Sequence, residues 1–179
     1  AIASQTFRSA ETLEEAQSIL SDRIATLGEA HSILTRSSWS SAPIRAVIDG
    51  ALAPHRSDIG TIHIEGPPLQ LPADLAMTMA LAANELATNA VKYGALSVET
   101  GEVTIRWAVG RPQSEDAFRF EWIESGGPVV VKPRRQGFGS RLVERVMAQK
   151  FQGEVALDYR PEGLRYVLTT TMANIAPRE

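Results

Sequence analysis

The chain of 179 residues contains no cysteine, which excludes disulfide bonds, a thiol nucleophile and the usual cysteine-based zinc sites. Its longest apolar stretch, residues 75–91, is interrupted by two asparagines and a glutamate. It is therefore too short and too polar to span a bilayer. No secretory signal peptide is visible. The net charge is −3 and the basic residues are dispersed, so nothing indicates a nucleic-acid partner.

The residues that are present suit a globular module. With 44% hydrophobic residues, a chain of this length can bury a full core, and we expect one domain with an appendage. No internal repeat or low-complexity tract occurs. Together with the absences above, this composition predicts a soluble, cytoplasmic protein.

Residues 84–93 read Asn-Glu-Leu-Ala-Thr-Asn-Ala-Val-Lys-Tyr and form the most informative segment of the chain. On a helix, the carboxylate of Glu85, the amide of Asn89 and the amine of Lys92 fall within roughly 60° of arc. Directly beside them lies an apolar stripe, formed by Leu75, Met79, Ala82, Leu86 and Ala90. Polar residues flank most amphipathic helices. The three are therefore either ordinary surface groups or the rim of a half-buried ligand site.

A second motif, residues 120–128, favours the ligand site. Phe118, Phe120, Trp122 and Glu124 share one parity in a short run that predicts a strand. The strand ends at a Gly-Gly-Pro corner, where backbone can approach a ligand closely. A carboxylate at this point is well placed to accept a hydrogen bond from an amino group.

A glycine loop follows, Gly137-Phe138-Gly139-Ser140, and leads into apolar residues at helical spacing between 142 and 147. A loop of this kind at the start of a helix offers free N–H groups and a positive dipole end to an anion. Most such glycine pairs are simply turns, so this motif alone is weak.

These motifs, in this order, resemble the catalytic, ATP-binding domain of bacterial sensor histidine kinases. They are most similar to the HWE subfamily, whose name records a histidine and a Trp-x-Glu motif. The resemblance includes the closing segment 153–164 and covers essentially the whole chain, although residues 1–36 match the phosphotransfer hairpin less specifically. It implies the fold shared with gyrase, heat-shock chaperones and mismatch-repair ATPases.

The resemblance implies a role for each motif residue. Glu85 would be the catalytic acid that draws a proton from the attacking histidine. Asn89 would hold a Mg²⁺ ion that bridges the phosphates, since Mg²⁺ needs only one or two protein oxygens. Glu124 would bind the adenine amino group, while Trp122 would belong to the core. The other ATP- and phosphate-binding positions would be Lys92, Tyr93, Gly126, Gly137, Gly139, Ser140 and Arg141.

The segment between Gly126 and Gly139 resembles a shortened ATP lid. Its basic residues are Lys132, Arg134 and Arg135. Such clusters are solvated loop charges more often than ligands, but a triphosphate would give them a role.

Two features depart from the family pattern. Asn84 occupies the position of the subfamily histidine, and the helical wheel places it away from the apolar stripe, so we expect the metal site to be spared. No phospho-acceptor box of the His-Arg-x-x-Asn type occurs. We therefore expect that these 179 residues alone do not autophosphorylate.

Periodicity and chain breakers predict helices over 11–35, 43–53, 72–93 and 139–150, and strands over 60–65, 102–109, 117–124, 153–159 and 164–171. The first helix shows a stripe of Leu13, Ala16, Leu20, Ile24, Leu27, His31 and Leu34, in which His31 is expected to be a packed core residue. We expect an α+β fold, a two-layer α/β sandwich of the Bergerat type, with helices on one face of a mixed, mainly antiparallel sheet. Residues 42–176 would form the catalytic domain, and residues 1–36 a remnant of the dimerisation and phosphotransfer hairpin.

The function implied is the ATP-binding catalytic part of a histidine kinase. It would transfer the γ-phosphate of ATP, with Mg²⁺, to a histidine for relay to a response-regulator aspartate. The implied partners are a response-regulator receiver domain, an upstream sensor domain and a second copy of the chain bound through the hairpin. Two alternatives stay open: an ATPase or ATP-gated switch in which Glu85 activates water, and a degenerate relative that binds a partner but no nucleotide.

Overall fold

Helices surround one long central helix in the computed structural model, which describes residues 12–36, 40–56, 60–110, 116–131 and 138–176. The helices are α1 (Leu13–Arg36), α2 (Ile44–Leu52), α3 (Ala73–Tyr93), α4 (Phe138–Arg141), α5 (Met147–Lys150) and α6 (Met172–Ile175). A π-helical segment, Leu142–Val146, joins α4 to α5, so residues 138–150 wind continuously. Short 3₁₀ turns, Ala53–His55 and Ala95–Ser97, follow α2 and α3. None of the described helices is long and apolar enough to cross a membrane.

Strands supply the second layer. They are β1 (Ser41–Pro43), β2 (Thr61–Glu65), β3 (Gln70–Pro72), β4 (Glu102–Val109), β5 (Ala117–Ser125), β6 (Glu154–Arg160) and β7 (Gly163–Thr171). A five-stranded sheet has the order β2-β4-β5-β7-β6. In it β2 runs parallel to β4, and the other neighbours are antiparallel, which confirms the expected mixed sheet. The strands β1 and β3 form a separate two-stranded ladder that the sequence did not predict.

The core lies between one face of the sheet and the helices. On β5, the alternate residues Phe118, Phe120 and Trp122 are at most 1% exposed, as the shared parity predicted. Helix α3 is buried on nearly every side between residues 75 and 87. The reason is that α1, α2 and the helix 138–150 all contact it, while its remaining face joins the sheet in one apolar cluster.

Helix α1 packs against α2 and α3 through a face that coincides only in part with the predicted stripe, from which Ala16 and Leu34 are buried. Its buried residues are Ala16, Arg23, Thr26, Ala30, Ile33 and Leu34. Leu13 and Ile24, from the predicted stripe, are 62% and 61% exposed. His31 is exposed as well, so the prediction of a packed histidine is wrong. The small residues of the observed face let α1 approach its neighbours, and Arg23 is buried because it meets an acid on α3.

Candidate functional site

The second half of α3 carries the polar residues that the sequence singled out. Glu85 is buried at 9% exposure. Asn89, Lys92 and Tyr93 are exposed, and the stripe beside them is buried as predicted. The acid therefore lies inside the molecule, and the amide and amine lie at the surface one and two turns further along the helix.

Glu85 forms a buried ion pair with Arg23 of α1. The Nε of Arg23 donates to Oε1 of Glu85 at 2.6 Å, and the Nη2 of Arg23 lies 2.6 Å from the same oxygen. The other oxygen, Oε2, faces the start of the helix 138–150, because a Cβ placed on Gly139 would lie 2.6 Å from it. The carboxylate is thus held between an arginine on one side and a glycine on the other.

Glu124, at the end of β5, is 5% exposed and fixed by two hydrogen bonds. Trp122 Nε1 donates to its Oε1 at 3.0 Å, and the backbone N–H of Ala95 donates to its Oε2 at 2.9 Å. Burial raises the pKa of the Glu124 carboxyl, and the hydrogen bonds from Ala95 and Trp122 work against that rise. Trp122 is therefore both a core residue, as predicted, and an anchor for this carboxylate.

Glycines allow the chain to close around Glu124. A Cβ on Gly94 would lie 2.1 Å from Oε2 of Glu124, and one on Gly127 would lie 2.6 Å from the Cα of Ala95. Gly126 has φ = 69° and approaches the backbone oxygen of Thr100. The Gly-Gly-Pro corner thus packs on the segment after α3. Packing within the chain accounts for both of its glycines, and a nucleotide contact by Gly126 stays a prediction.

One stretch of α3 connects the two carboxylates. Gly94 follows Glu85 by nine residues, or ~14 Å along the axis at about 1.5 Å per residue. Because Gly94 touches Glu124 and Gly139 touches Glu85, the two acids lie at opposite ends of this stretch. Of the remaining predicted residues, Ser140 is half-buried and Arg141 is exposed. Gly137 and the lid residues Lys132, Arg134 and Arg135 lie outside the described residues.

Comparison with known proteins assigns the chain to a family. Residues 1–68 match the model of the family described as HWE histidine kinase. A blue-light-activated histidine kinase of Brucella ovis is 39% identical over 177 residues, which cover 98% of this chain and 36% of that relative. The chain belongs to the HWE histidine kinase family. A relative of the same name from Brucella anthropi is 38% identical over 179 residues, with 99% and 36% of the two chains covered. This HWE kinase chain thus spans about a third of the length of the curated relatives it matches, 36% in both.

Solved structures confirm the fold of this HWE kinase chain. The histidine kinase domain of the Erythrobacter litoralis EL346 blue-light activated histidine kinase superposes with a TM-score of 0.69 at 15% identity, covering 99% of this chain and 95% of that one. The mycobacterial sensor histidine kinase MprB gives a TM-score of 0.56 at 19% identity, covering 73% and 95%. At these identities the likeness concerns the fold alone, and it bears out the α+β architecture with its N-terminal helix.

At the subfamily histidine position, this HWE kinase chain has a buried asparagine. Asn84 is 3% exposed, and its Oδ1 lies 2.8 Å from Nε2 of His55. The expectation that Asn84 faces away from the core is therefore wrong. The reason is that the 3₁₀ turn Ala53–His55 packs on that side of α3, which a helical wheel of α3 alone does not show.

Sequence reasoning missed Arg23, His55 and Ala95 as partners of the motif residues. For Arg23 a signal was available: Ala16, Arg23 and Ala30 are seven residues apart, which places them on one helix face close to two turns apart. An arginine between two small residues on a face is an unusual core position and indicates a buried partner. The partners His55 and Ala95 depend on tertiary contacts and left no local pattern.

Proposed function

We propose that this HWE kinase chain binds ATP with Mg²⁺ along α3 and transfers the γ-phosphate to a histidine, for relay to a response-regulator aspartate. The observation that supports this is the pair of buried carboxylates, Glu85 and Glu124, at the two ends of one helical stretch. Each carboxylate lies against the backbone of a glycine, Glu85 against Gly139 and Glu124 against Gly94. Two acids at the ends of a helical stretch ~14 Å long suit an extended ligand with a base at one end and phosphates at the other.

The adenine would bind at Glu124. Each oxygen of this carboxylate accepts one hydrogen bond from the protein and retains a further lone pair. An amino group of the base can therefore donate to a carboxylate whose orientation is already fixed. Such preorganisation favours binding, because little side-chain freedom is lost.

The phosphates would lie toward Glu85 and the start of the helix 138–150. Gly139 and Ser140 stand in the first turn of this helix, where unpaired N–H groups and the helix dipole attract anions. Arg141 and Lys92 are exposed and can add positive charge. Glu85 would accept the ring proton of the attacking histidine and so strengthen its nitrogen as a nucleophile.

Asn89 would supply the protein oxygen for Mg²⁺, which on binding would neutralise charge on the phosphates. Its side chain is exposed on the same stretch of α3, between the two acids. Within the described ranges there is no group of three or more histidine, aspartate or glutamate side chains that could hold a metal. One amide oxygen fits an ion that is held mainly by phosphates and water.

The proposal extends to the longer protein in which such a domain works. Residues 1–36 would derive from the dimerisation and phosphotransfer hairpin, and residues 42–176 would be the catalytic domain. A sensor domain upstream, a receiver domain and a second copy of the chain would be the partners. The names of the relatives, which are blue-light-activated histidine kinases, support this arrangement.

Calorimetric titration with a non-hydrolysable ATP analogue, with and without Mg²⁺, tests the proposal. We expect micromolar binding that Glu124→Ala abolishes, and a Mg²⁺ dependence that Asn89→Ala removes. Asp158→Asn, at an exposed surface pair with Arg160, is the control and should bind like the wild type. A folded wild-type chain that binds no analogue contradicts the proposal and leaves the degenerate, partner-binding alternative.

A further inference from the structure

We propose that Arg23 is a positioning residue for Glu85. In this role, which rests on the proposed function, the guanidinium holds the carboxylate by Oε1 so that Oε2 faces the phosphate end of the site. Arg23 lies on α1 and Glu85 on α3. The base would thus be oriented from outside the catalytic domain, by the helix that precedes it.

The geometry of the pair carries this inference. A guanidinium that simply neutralises an acid commonly forks across both carboxylate oxygens. Here Nε and Nη2 of Arg23 both converge on Oε1 of Glu85. Both contacts that the structure gives for this pair go to Oε1, while Oε2 is turned toward Gly139. A general base needs one oxygen free for the proton and one fixed to define its direction, and the pair provides both.

Burial makes the ion pair of Arg23 and Glu85 stronger than a surface pair. The side chains of Arg23 and Glu85 are 4% and 12% exposed, so solvent screens their interaction weakly. The small residues Ala16 and Ala30 flank Arg23 on the buried face of α1 and hold the helix close enough for the contact.

The surroundings of Oε2 indicate where the free oxygen acts. Gly139 is the nearest neighbour that a side chain would disturb, since its Cβ would lie 2.6 Å from Oε2. The free oxygen therefore points to the first turn of the helix 138–150, the predicted phosphate cradle. Rotation of the carboxylate about its own axis would exchange the two oxygens, and the two donors of Arg23 oppose that rotation.

A lock that inhibits the enzyme is the opposite interpretation of the same contact. It would require Arg23 to withdraw before Glu85 could work, and its removal would raise turnover. Positioning predicts that its removal lowers turnover. The sign of the change separates the two.

The test measures phosphoryl transfer, as ADP release at saturating Mg²⁺-ATP, in the 179-residue chain with Arg23→Lys; a helical peptide that carries an acceptor histidine is supplied, because the chain has no acceptor box. Lysine keeps the charge but loses the two-donor fork. We expect kcat to fall on the order of 10- to 100-fold, as for small misplacements of a catalytic group. The KM for ATP and the affinity for the ATP analogue should stay unchanged, because the groups that bind nucleotide are not altered.

Two further variants test whether the fall in kcat depends on Glu85 and is specific to Arg23. In a Glu85→Gln background, Arg23→Lys should change turnover no further, because a positioning role for Arg23 depends on the carboxylate of Glu85. Arg45→Lys replaces a surface arginine that pairs with Asp49 at 55% exposure, and it should leave kcat at the wild-type value. If Arg23→Lys does not fold, Gly139→Ala tests the same geometry, because its Cβ would displace Oε2. It should lower kcat in the chain with Glu85 and change turnover no further in a Glu85→Gln background, whereas the loss of a phosphate contact at Gly139 would lower turnover in both.

Other results would overturn the proposal. Turnover that is unchanged or raised in Arg23→Lys, in a chain that binds the analogue and depends on Glu85, removes the positioning role and leaves the proposed function standing. A wild-type chain whose turnover does not depend on Glu85, or that binds no analogue, removes the proposed function and the positioning role with it.

Discussion

At the scale of single residues, Gly94 is a position where the fold leaves no room for a side chain. Its φ of −118° suits any residue, so the constraint is steric. An added Cβ would lie 2.1 Å from Oε2 of Glu124, and one hydrogen bond to each oxygen holds that carboxylate in place. We expect Gly94→Ala to destabilise the fold by about 1–3 kcal/mol and to abolish analogue binding. Urea unfolding and calorimetry measure both effects.

Gly28 provides the matched control, because a Cβ there would meet nothing within 4 Å on α1. Gly28→Ala should stabilise the chain by about 0.5–1 kcal/mol, as alanine does in a helix interior. Equal losses in the two variants would contradict the steric account of Gly94.

Glu124 is the residue whose chemistry can be changed with the least change of shape. In Glu124→Gln, one of the two donors, Trp122 Nε1 or the N–H of Ala95, would face an amide NH₂ instead of an oxygen. We expect a destabilisation of about 1–3 kcal/mol and at least about tenfold weaker analogue binding. Trp122→Phe removes one donor and keeps the acid. This variant should therefore bind the ATP analogue more tightly than Glu124→Gln does. Wild-type affinity in Glu124→Gln would exclude the carboxylate as an adenine contact.

Glu121, on the outer face of the sheet, contributes to the pH dependence of the unfolding free energy in acid. Burial acts to raise its pKa, but hydrogen bonds from Arg119, Arg165 and Arg106 outweigh this and lower the pKa to about 2. The folded pKa lies below the ordinary 4.5, so this stabilisation is complete above that pH and is lost as pH falls toward 2. Glu121→Gln should therefore flatten the fall of unfolding free energy between pH 4.5 and 2. Asp158→Asn, at an exposed pair with Arg160, should not.

At the scale of elements, the sequence predicts the strands of the second half well, because alternation and turns are local signals. The predicted strands 102–109 and 117–124 are Glu102–Val109 and Ala117–Ser125 in the structure. The ladder of β1 and β3 could not be predicted. Each strand has three residues and ends at a proline, and only the remote pairing of Ser41 with Pro72 creates them. Such pairing leaves no local pattern.

The buried face of α1 shows the same limit within a helix. Leucine and isoleucine positions predicted the core stripe, but Leu13 and Ile24 are exposed. Which face of α1 is buried depends on small residues that allow close packing and on the ion pair of Arg23 with Glu85. A wheel can rank the faces of a helix by hydrophobicity, but it does not contain the partner that makes Arg23 a buried residue.

The ion pair between Arg23 and Glu85 predicts how the stability of α1 changes when the Arg23 side chain is removed. In Arg23→Ala, Glu85 stays buried without its cation, which should destabilise the chain by about 3–5 kcal/mol. The double variant Arg23→Ala, Glu85→Ala should recover part of this loss, because the buried carboxylate that lost its cation is removed as well. Hydrogen exchange should show the amides of α1 losing protection first. Loss of protection spread evenly over α1 and the sheet would contradict the assignment of the effect to this contact.

At the scale of the whole molecule, α1 and the catalytic region share one core. Ala30, Ile33 and Leu34 belong to the same apolar cluster as residues of α2, α3 and the sheet. The division of the chain at residue 36 stays a prediction about the origin of the helix. In this structure the helix is packed as part of the body that carries the site.

Because the site and the core are built on the same helix, nucleotide binding should stabilise the entire chain, α1 included. A ligand at 100 times its dissociation constant adds about 2.7 kcal/mol to the unfolding free energy. We expect one cooperative thermal transition that rises with the ATP analogue, and rises further with Mg²⁺. In Asn89→Ala the Mg²⁺-dependent part of the rise should vanish while the rest persists, since the proposed adenine site lies at the far end of α3. A wild-type transition that Mg²⁺ leaves unchanged in the presence of analogue would contradict a metal-holding role for Asn89, and the exposed amide would then be a surface residue only.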